Sequence, residues 1–307
     1  MIWLIGCKGM LGTEVAKQLE EARIPFVGTD KEVDITDPHA LEEFEANVER
    51  ESYLQYKNSD RHIRWIINCS AYTNVDKAEE DVELAEKLNT TGPLNIARIA
   101  RKIGAKLIHI STDYVFDGTG KTPYTEEMPI APIGVYGKTK AAGERAVSEN
   151  LNEYYIIRTA WLYGWAGKNF VYTMIKAMNT HETVKVVNDQ KGTPTFAGDL
   201  ANVIIQIIKK DDVPYGIYHC TDLGEISWWD FTNEIKRQAF EFGLLFNNTC
   251  QVTPCATSEY PTPAKRPVYS VLSKEKIQKT LGITLPFWKD SLSVFLKSEL
   301  FDKGRIE

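Results

Sequence analysis

Short apolar runs alternate with amphipathic stretches over the first two hundred residues of this chain. The runs are continuous, as in strands that are covered on both faces, and lie at residues 2–5, 25–28, 65–69, 106–110 and 155–157. Between them, apolar residues recur with helical spacing, for example from Met10 to Ala22 and from Pro38 onward. Strands separated by helices favour right-handed crossovers, so we predict an α/β fold with a doubly wound, parallel, Rossmann-type sheet.

Two later segments change this picture. The polar stretch from Glu45 to Arg64 is longer than a crossover needs, and we interpret it as a helix extension followed by a surface loop. Beyond about Gly224 the alternation gives way to Trp-rich and Pro-rich sequence. That shift predicts a smaller, mostly helical lobe that closes over a ligand held by the first part of the chain.

Charge and cysteine content exclude several classes of function. The net charge of -6 argues against a nucleic-acid partner, because such proteins usually carry a basic surface. No apolar run is long enough for a secretory signal or a membrane span, so we expect no membrane partner. The five cysteines include no C-x-x-C pair and are odd in number. We expect reduced thiols in a cytoplasmic protein, without a disulfide framework or zinc site.

The first candidate site is the glycine-rich turn Gly6-Cys7-Lys8-Gly9-Met10-Leu11-Gly12, between a predicted strand and a predicted helix. Glycines there let the backbone approach a pyrophosphate, whose charge the helix N-terminus stabilises. The G-x-x-G-x-x-G spacing is one residue longer between its first glycines than the fingerprint of many dehydrogenases. Asp30, at the end of the second strand, favours NADH through the adenosine ribose, whereas Lys8 and Lys31 suit a 2′-phosphate. NADPH or NADH therefore both remain open.

The second candidate site combines Thr112, Tyr136 and Lys140. Tyr136 and Lys140 are four residues apart on one face of a predicted helix. A neighbouring ammonium favours phenolate and so lowers the pKa of the phenol towards the range useful for proton transfer. Thr112 follows a predicted strand, and strand ends line the ligand crevice of a parallel sheet. The order of these elements predicts a reductase that acts on a carbonyl.

These motifs resemble those of the extended short-chain dehydrogenase/reductases and, within them, the dTDP-4-dehydrorhamnose reductase family. The supporting segments span nearly the whole chain in family order: 71–79, 111–118, 135–140, 158–163, 188–195 and 260–267. The resemblance implies reduction of the 4-keto group of dTDP-4-dehydro-L-rhamnose. Tyr136 would protonate the alkoxide, Lys140 would hold the nicotinamide ribose, and Thr112 would orient the carbonyl.

The resemblance also implies the binding residues and the domain division. The cofactor would contact Gly6, Lys8, Gly9, Met10, Leu11, Gly12, Asp30, Asp34, Ile35, Ala71, Tyr136 and Lys140. The sugar nucleotide would contact Thr112, Asp113, Tyr114, Trp161, Asn169 and Arg266. We divide the chain into an NAD(P)-binding Rossmann domain at 1–164 and 184–222 and a substrate-binding lobe at 165–183 and 223–307.

Two features depart from the family pattern. Residues 48–59 form an insertion. Some family members build a magnesium-bridged dimer from three glutamates, of which Glu14 and Glu299 match here. The third position falls at or beside Gly198, next to Asp199. We therefore assign no metal and expect a monomer or a weak homodimer.

A nucleotide-sensing repressor is disfavoured by the acidic balance and the absence of a basic patch. Two other alternative functions stay open. A reductase or reductase-epimerase of another keto-sugar nucleotide would carry the same catalytic residues. The family resemblance also extends to the non-catalytic regulatory subunit of methionine adenosyltransferase, although intact Thr112, Tyr136 and Lys140 favour catalysis.

Overall fold

Six parallel strands form the central sheet of the protein, whose computed structural model describes residues 1–56, 62–210 and 212–306. The strands in these ranges are β1 (Ile2–Ile5), β2 (Phe26–Thr29), β3 (Trp65–Asn68), β4 (Lys106–Thr112), β5 (Tyr154–Thr159), β6 (Leu162–Tyr163), β7 (Thr183–Val187), β8 (Lys191–Gly192), β9 (Thr195–Phe196), β10 (Gly216–His219), β11 (Ile226–Ser227) and β12 (Gln251–Cys255). The α-helices are α1 (Met10–Glu21), α2 (Pro38–Tyr56), α3 (Val82–Glu86), α4 (Gly92–Ile103), α5 (Val135–Asn150), α6 (Phe170–Thr180), α7 (Ala197–Lys209), α8 (Trp228–Glu241), α9 (Glu275–Leu281) and α10 (Trp288–Lys297). The sheet order β10-β5-β4-β3-β1-β2 and its parallel pairing confirm the predicted fold class.

The strand order places a ligand crevice between β1 and β3. After β1 the chain winds to β2 on one side, and it then returns to β3 on the other side. Ile5 pairs with Asn68 in β3, and Asn68 pairs with His109 in β4, so the strand ends lie along one edge. Doubly wound sheets bind ligands at this edge, where the winding direction reverses.

Apolar side chains are buried on both faces of the sheet, which explains the continuous apolar runs. On one face, Val15 of α1 and Leu200 of α7 are fully buried against the strands. On the other face, Leu41 of α2, Ile96 of α4 and Val147 of α5 do the same. Each such side chain contributes roughly 1.5–3 kcal/mol of hydrophobic stabilisation, so the sheet is a firm base for the residues at its edge.

A second hydrophobic cluster joins α6, α8 and α10. The ring of Tyr163 lies 5.7 Å from that of Phe231 on α8 and 5.3 Å from that of Phe295 on α10. β7 pairs with β12 and contacts α8, although residues 184–187 were predicted to belong to the Rossmann domain. Conversely, α9 packs on the sheet core although the sequence assigns it to the lobe. At these two places, strand pairing and helix packing place a segment with a different part of the molecule than its position in the chain suggests. The domain division itself stays a prediction.

The polar segment from Glu45 to Arg64 begins as predicted, with a helix extension. α2 continues to Tyr56. The predicted surface loop falls largely on residues 57–61, which lie outside the described residues, as does the end of the insertion. None of the described helices is long and apolar enough to cross a membrane.

Candidate active site

The turn after β1 forms a cradle at the N-terminus of α1. Gly6 has a φ of +78°, and the N–H groups of Gly6 and Cys7 donate to the carbonyl of Thr29 at 2.7 and 3.0 Å. A Cβ on Gly12 would lie 2.0 Å from the carbonyl oxygen of Gly6, so only glycine lets the helix approach the strand this closely. No side chain caps α1 at Gly9. The first N–H groups of the helix can therefore bind an anion such as a pyrophosphate.

The segment after β2 continues the same crevice. Its lining residues are Asp30, Lys31, Val33, Asp34 and Ile35. Lys8 does not line the crevice, and its Nζ lies 3.3 Å from Oε2 of Glu32. Glu32 also accepts a hydrogen bond of 2.8 Å from the N–H of Asp30. Because Lys8 is paired with Glu32 outside the crevice, Lys31 is the better placed of the two cations for a ligand.

The catalytic candidates lie where β4 ends and α5 begins. The Thr112 hydroxyl donates to Oδ1 of Asp113 at 3.0 Å and accepts from the N–H of Tyr114 at 3.2 Å. Tyr136 lies in the first turn of α5, and its ring meets that of Tyr114 edge-on at 5.5 Å. Lys140, one turn later, is 2% exposed and donates from Nζ to a carbonyl of β4 at 2.6 Å. The three predicted side chains thus share one wall of the site, which we call the catalytic wall.

Burial dominates the ionisation of these side chains. It raises the pKa of Tyr136 to about 12, an effect that a hydrogen bond with Thr112 partly offsets. It also lowers the pKa of Lys140 to about 8, because a buried ammonium loses hydration. The sequence predicts that Lys140 lowers the pKa of the phenol, and the structure corrects the direction because burial has the largest effect on the pKa of Tyr136 and raises it. Tyr136 is therefore a protonated phenol at neutral pH, as a proton donor must be.

One cavity of about 800 Å³ joins the cradle to the catalytic wall. This volume lies within the roughly 300–1,000 Å³ usual for ligand pockets. The predicted site residues in its lining are Gly6, Gly9, Met10, Leu11, Asp30, Asp34, Ile35, Ala71, Thr112, Asp113, Tyr114, Tyr136, Lys140 and Trp161. Residues from the ends of β1, β2, β3, β4 and β5 and from the start of α5 therefore form one site.

Two indole rings contribute to the cavity lining. Trp161 follows β5, and its ring stacks on that of Trp228 with centroids 3.5 Å apart and planes inclined by 10°. Phe170 packs against Trp228 at 4.5 Å. Trp161 has a φ of +47°, a left-handed conformation that is unfavourable for a bulky residue. Such strain persists where the surroundings impose it, often at ligand sites.

Asp113 offers an unpaired acceptor at the cavity. Its Oδ2 is buried and has no hydrogen-bond partner among the described residues. Burial raises the pKa of Asp113 to about 6, so the carboxyl is still ionised at neutral pH. A buried acceptor without a partner costs roughly 1–3 kcal/mol, which a hydroxyl group of a bound ligand would relieve.

Known proteins share this architecture over its full length. Residues 1–301 match the family described as the RmlD substrate binding domain. The crystal structure of a dTDP-4-dehydrorhamnose reductase from Clostridium acetobutylicum is 43% identical, with a TM-score of 0.85 over 96% of this chain and 98% of that chain. This chain belongs to the dTDP-4-dehydrorhamnose reductase family. The resemblance predicted from the motifs is thereby confirmed.

Two further relatives show the range of the family. The dTDP-4-dehydrorhamnose reductase of Bacillus anthracis, solved in complex with NADP, is 35% identical, with a TM-score of 0.84 over 96% of this chain and 97% of that chain. A probable dTDP-4,6-dihydroxy-2-methyloxan-3-one 4-ketoreductase from Streptomyces antibioticus is 38% identical over 296 residues, 95% of this chain and 93% of that protein. Relatives of similar identity to this chain thus carry names with different keto sugars.

Some residues predicted from the family pattern lie outside the cavity lining. Lys8 pairs with Glu32, and Gly12 serves the packing of α1. Asn169 caps α6: its side chain accepts from the N–H of Tyr172 at 3.2 Å and donates to the carbonyl of Gly164 at 2.7 Å. A ligand contact from Asn169 would compete with these bonds, so its role in substrate binding stays a prediction.

Arg266 also lies away from the cavity lining. Its guanidinium binds both carboxylate oxygens of Asp76 at 3.0 and 2.7 Å, and this contact holds the pKa of Asp76 below its usual value. Arg266 and Asp76 thereby join two segments that are distant in the chain and that both carry the family resemblance. Contact of Arg266 with the nucleotide end stays a prediction.

Sequence reasoning did not find Trp228 or Lys168, which both line the cavity. A helix-start signal is present before Trp228, since Ser227 and Asp230 form a capping box. That signal gives the position of the residue in α8 but not the loop it faces. Lys168 precedes the cap of α6 and carries no recognisable motif of its own.

Proposed function

We propose that this protein reduces the 4-keto group of dTDP-4-dehydro-L-rhamnose to dTDP-L-rhamnose with NADPH or NADH. The observation that carries the proposal is the single cavity that joins a dinucleotide cradle to Thr112, Tyr136 and Lys140. Family membership supports the sugar-nucleotide class of substrate. The product would serve as a precursor of cell-surface polysaccharide.

The cradle residues fit a nicotinamide dinucleotide. The uncapped N-terminus of α1 would hold the pyrophosphate, and Gly9 leaves room for its approach. Asp30 would accept hydrogen bonds from ribose hydroxyls, while Lys31 would suit a 2′-phosphate. When bound, the dinucleotide supplies the hydride. A relative in complex with NADP supports this choice of cofactor.

Proton transfer in this proposal belongs to Tyr136. Its phenol is protonated at neutral pH and would give that proton to the developing alkoxide. The Lys140 ammonium would donate hydrogen bonds to ribose hydroxyls of the dinucleotide. The Thr112 hydroxyl now donates to Asp113 and would turn to the substrate carbonyl, where it stabilises the growing negative charge.

Substrate positioning would use Oδ2 of Asp113 and the indole stack. Oδ2 of Asp113 would accept a sugar hydroxyl, which satisfies an acceptor that is buried without a partner among the described residues. Trp161 and Trp228 would pack on the apolar face of the sugar or on the base.

A second candidate is the same reaction on another keto sugar. The relative from Streptomyces antibioticus supports it, because that protein is named for a 3-one rather than for dehydrorhamnose. Thr112, Tyr136 and Lys140 would serve either substrate equally. Only residues that would pack on the rest of the substrate, such as Trp161 and Trp228, would distinguish the two.

A substrate panel tests the proposal. Oxidation of NADPH and NADH would be followed with dTDP-4-dehydro-L-rhamnose and with other 4-keto-6-deoxy sugar nucleotides, each with the dTDP and the UDP base. We expect the highest kcat/KM with dTDP-4-dehydro-L-rhamnose. A higher value with another keto sugar supports the second candidate. Tight NADPH binding without turnover of any sugar contradicts both and favours a regulatory subunit.

We also propose that the protein acts in the cytoplasm, as a monomer or a weak homodimer. The five cysteines are free thiols in the structure, which suits a reducing compartment.

A further inference from the structure

A buried acidic residue, Glu144, lies on the same face of α5 as the two catalytic side chains. Tyr136, Lys140 and Glu144 follow one another at intervals of four residues, so one helical face presents all three. Glu144 is 4% exposed, and the proposed chemistry gives it no task. Burying a carboxylate is costly unless its partners are well placed.

Successive turns of α5 hold successive residues of β4. Nζ of Lys140 donates to the carbonyl of Ile110 at 2.6 Å, and Oγ of Ser111 donates to Oε1 of Glu144 at 2.5 Å. Thr112 is the next residue of the strand. The two bonds therefore set the height and distance of Thr112 relative to the helix that carries Tyr136.

Arg158 of β5 fixes the Glu144 carboxylate from the other side. Its Nε donates to Oε1 at 2.9 Å and its Nη2 donates to Oε2 at 2.7 Å, a bidentate pair. Nη1 lies 3.3 Å from Nε2 of His219 on β10. Replacing such a buried pair with apolar side chains is often neutral or stabilising in proteins. Fold stability alone is therefore a weak reason for it, which directs attention to its catalytic neighbours.

Several titratable groups lie near Lys140. Among those in the described part of the chain, Glu144 is the one that carries a negative charge. Cys69 after β3 is a neutral thiol, because burial raises its pKa to about 12. His109 of β4 is neutral, because burial lowers its pKa well below the usual value. Tyr136 is a neutral phenol. Burial lowers the pKa of Lys140, and the charge of Glu144 opposes that effect.

We propose that Glu144 is a positioning residue, which holds the end of β4 against α5 and supplies the counter-charge of the Lys140 ammonium. The inference rests on the proposed function for its link to turnover. The effect of Glu144 on Lys140, however, is also measurable through NADPH binding without any sugar substrate. Failure of the substrate panel would therefore leave this inference testable.

The central test is Glu144→Gln, with Glu149→Gln as the matched control on the exposed face of α5. Without the carboxylate, burial lowers the pKa of Lys140 further below about 8, so the ammonium is lost at lower pH. In pH profiles of kcat/KM and of NADPH affinity, the alkaline limb is the range where the value falls as the pH rises. Both alkaline limbs should move to lower pH by about one unit. Glu149→Gln should leave both limbs in place.

Two more variants separate charge from position. Ser111→Ala removes the bond to β4 but keeps the carboxylate, so it should lower kcat several-fold at every pH without moving the alkaline limb. Glu144→Asp keeps the charge with a shorter reach and should restore the limb but not all of kcat. A limb that moves in Ser111→Ala as far as in Glu144→Gln would contradict the assigned counter-charge.

Folding is checked by thermal denaturation of each variant. If Glu144→Gln fails to fold because Arg158 is left unpaired, the double variant Glu144→Gln/Arg158→Met removes both charges and still lacks the carboxylate. The alkaline limb should remain displaced in that variant. A folded variant without Glu144 whose two limbs coincide with those of the wild type would overturn the proposal.

Discussion

The two parts of the cavity that face a substrate are built differently. The catalytic wall, formed by Thr112, Tyr136 and Lys140, rests on a parallel sheet and on the first turns of one helix. Hydrogen bonds from Thr112 to Asp113 and from Lys140 to the carbonyl of Ile110 hold this wall in place. The aromatic wall, formed by Trp161 and Trp228, joins a residue after β5 to the start of α8 through ring stacking.

In the proposed function, this difference would separate chemistry from substrate choice. Tyr136 and Lys140 are one turn apart on α5, and Thr112 ends β4, to which Lys140 is hydrogen-bonded, so we expect local changes elsewhere to leave their geometry intact. The aromatic wall depends on the packing of the second hydrophobic cluster, to which Trp161 and Trp228 are both attached. Substitutions there would alter the sugar that binds before they alter the proton transfer.

The largest effect is expected from Tyr136→Phe. Loss of the proton donor should lower kcat by at least about a hundredfold, the usual contribution of general acid catalysis. The dissociation constant of NADPH, measured by calorimetry, should change little. Tyr114→Phe removes a neighbouring phenol 5.5 Å away and should cost far less. A Tyr136→Phe variant that retains more than a tenth of kcat would remove this residue from the mechanism.

Gly9→Val tests the cradle that serves the catalytic wall. The branched side chain would project where the backbone meets the pyrophosphate, so the dissociation constant of NADPH should rise by at least about tenfold. The fold should survive, because a Cβ at Gly9 would meet only the Gly6 carbonyl oxygen, at 3.3 Å. Calorimetry gives the affinity and thermal unfolding checks the fold. Unchanged affinity in a folded variant would contradict the assignment.

Trp228→Ala tests the aromatic wall, with Trp229→Ala as its control. Losing the ring should raise KM for the sugar nucleotide by roughly tenfold, because stacking and burial of such a ring are worth about 1–2 kcal/mol. NADPH affinity should stay the same. Trp229 does not line the cavity and donates to the carbonyl of Val252 at 3.2 Å, so its loss should leave KM unchanged. Equal changes in both variants would show a general loosening of α8.

The catalytic wall was largely predictable from the sequence, and the reason is geometric. Tyr136 and Lys140 share a helix, and Thr112 ends a strand whose register is set by its neighbours. Asp30 follows directly from the strand that carries it. In each case the residues are close along the chain, or the register of the sheet brings them together.

Contacts between distant segments were not predictable in the same way. Trp161 meets Trp228, Asp76 meets Arg266, and Glu144 meets Arg158 only through the fold. The sequence shows each residue but not its partner. The pKa of Tyr136 was predicted in the wrong direction for the same reason, because burial by remote segments has the largest effect on it.

A smaller effect is expected at the adenosine end, with Asp30→Ala. Removing this carboxylate takes away an acceptor for ribose hydroxyls and a repulsion of the 2′-phosphate, while Lys31 remains in the lining. The ratio of kcat/KM for NADPH to that for NADH should rise several-fold, with kcat nearly constant. Steady-state kinetics with both cofactors measure it. A ratio that stays the same or falls would show that Asp30 does not contact the ribose.

The smallest effect, close to none, is expected from magnesium. A divalent cation needs several oxygen ligands, and no cluster of three candidate ligands occurs in the part of the chain that the structure describes. Asp199, beside the third family position, is already engaged, because its Oδ2 accepts a hydrogen bond of 2.6 Å from Ser291. Glu14 is 5% exposed, and burial raises its pKa.

We therefore expect the molar mass from light scattering to be that of a monomer or a weak dimer, with no change on adding EDTA or millimolar magnesium. Activity should be equally indifferent to both. A matched measurement on Asp199→Ala should give the same mass as the wild type, since this carboxylate is used within the subunit. A dimer that dissociates with EDTA and re-forms with magnesium would show that Asp199 or another acid replaces the missing glutamate. In that case the metal would join two copies through residues that do not line the cavity, and substrate choice should still follow Trp228.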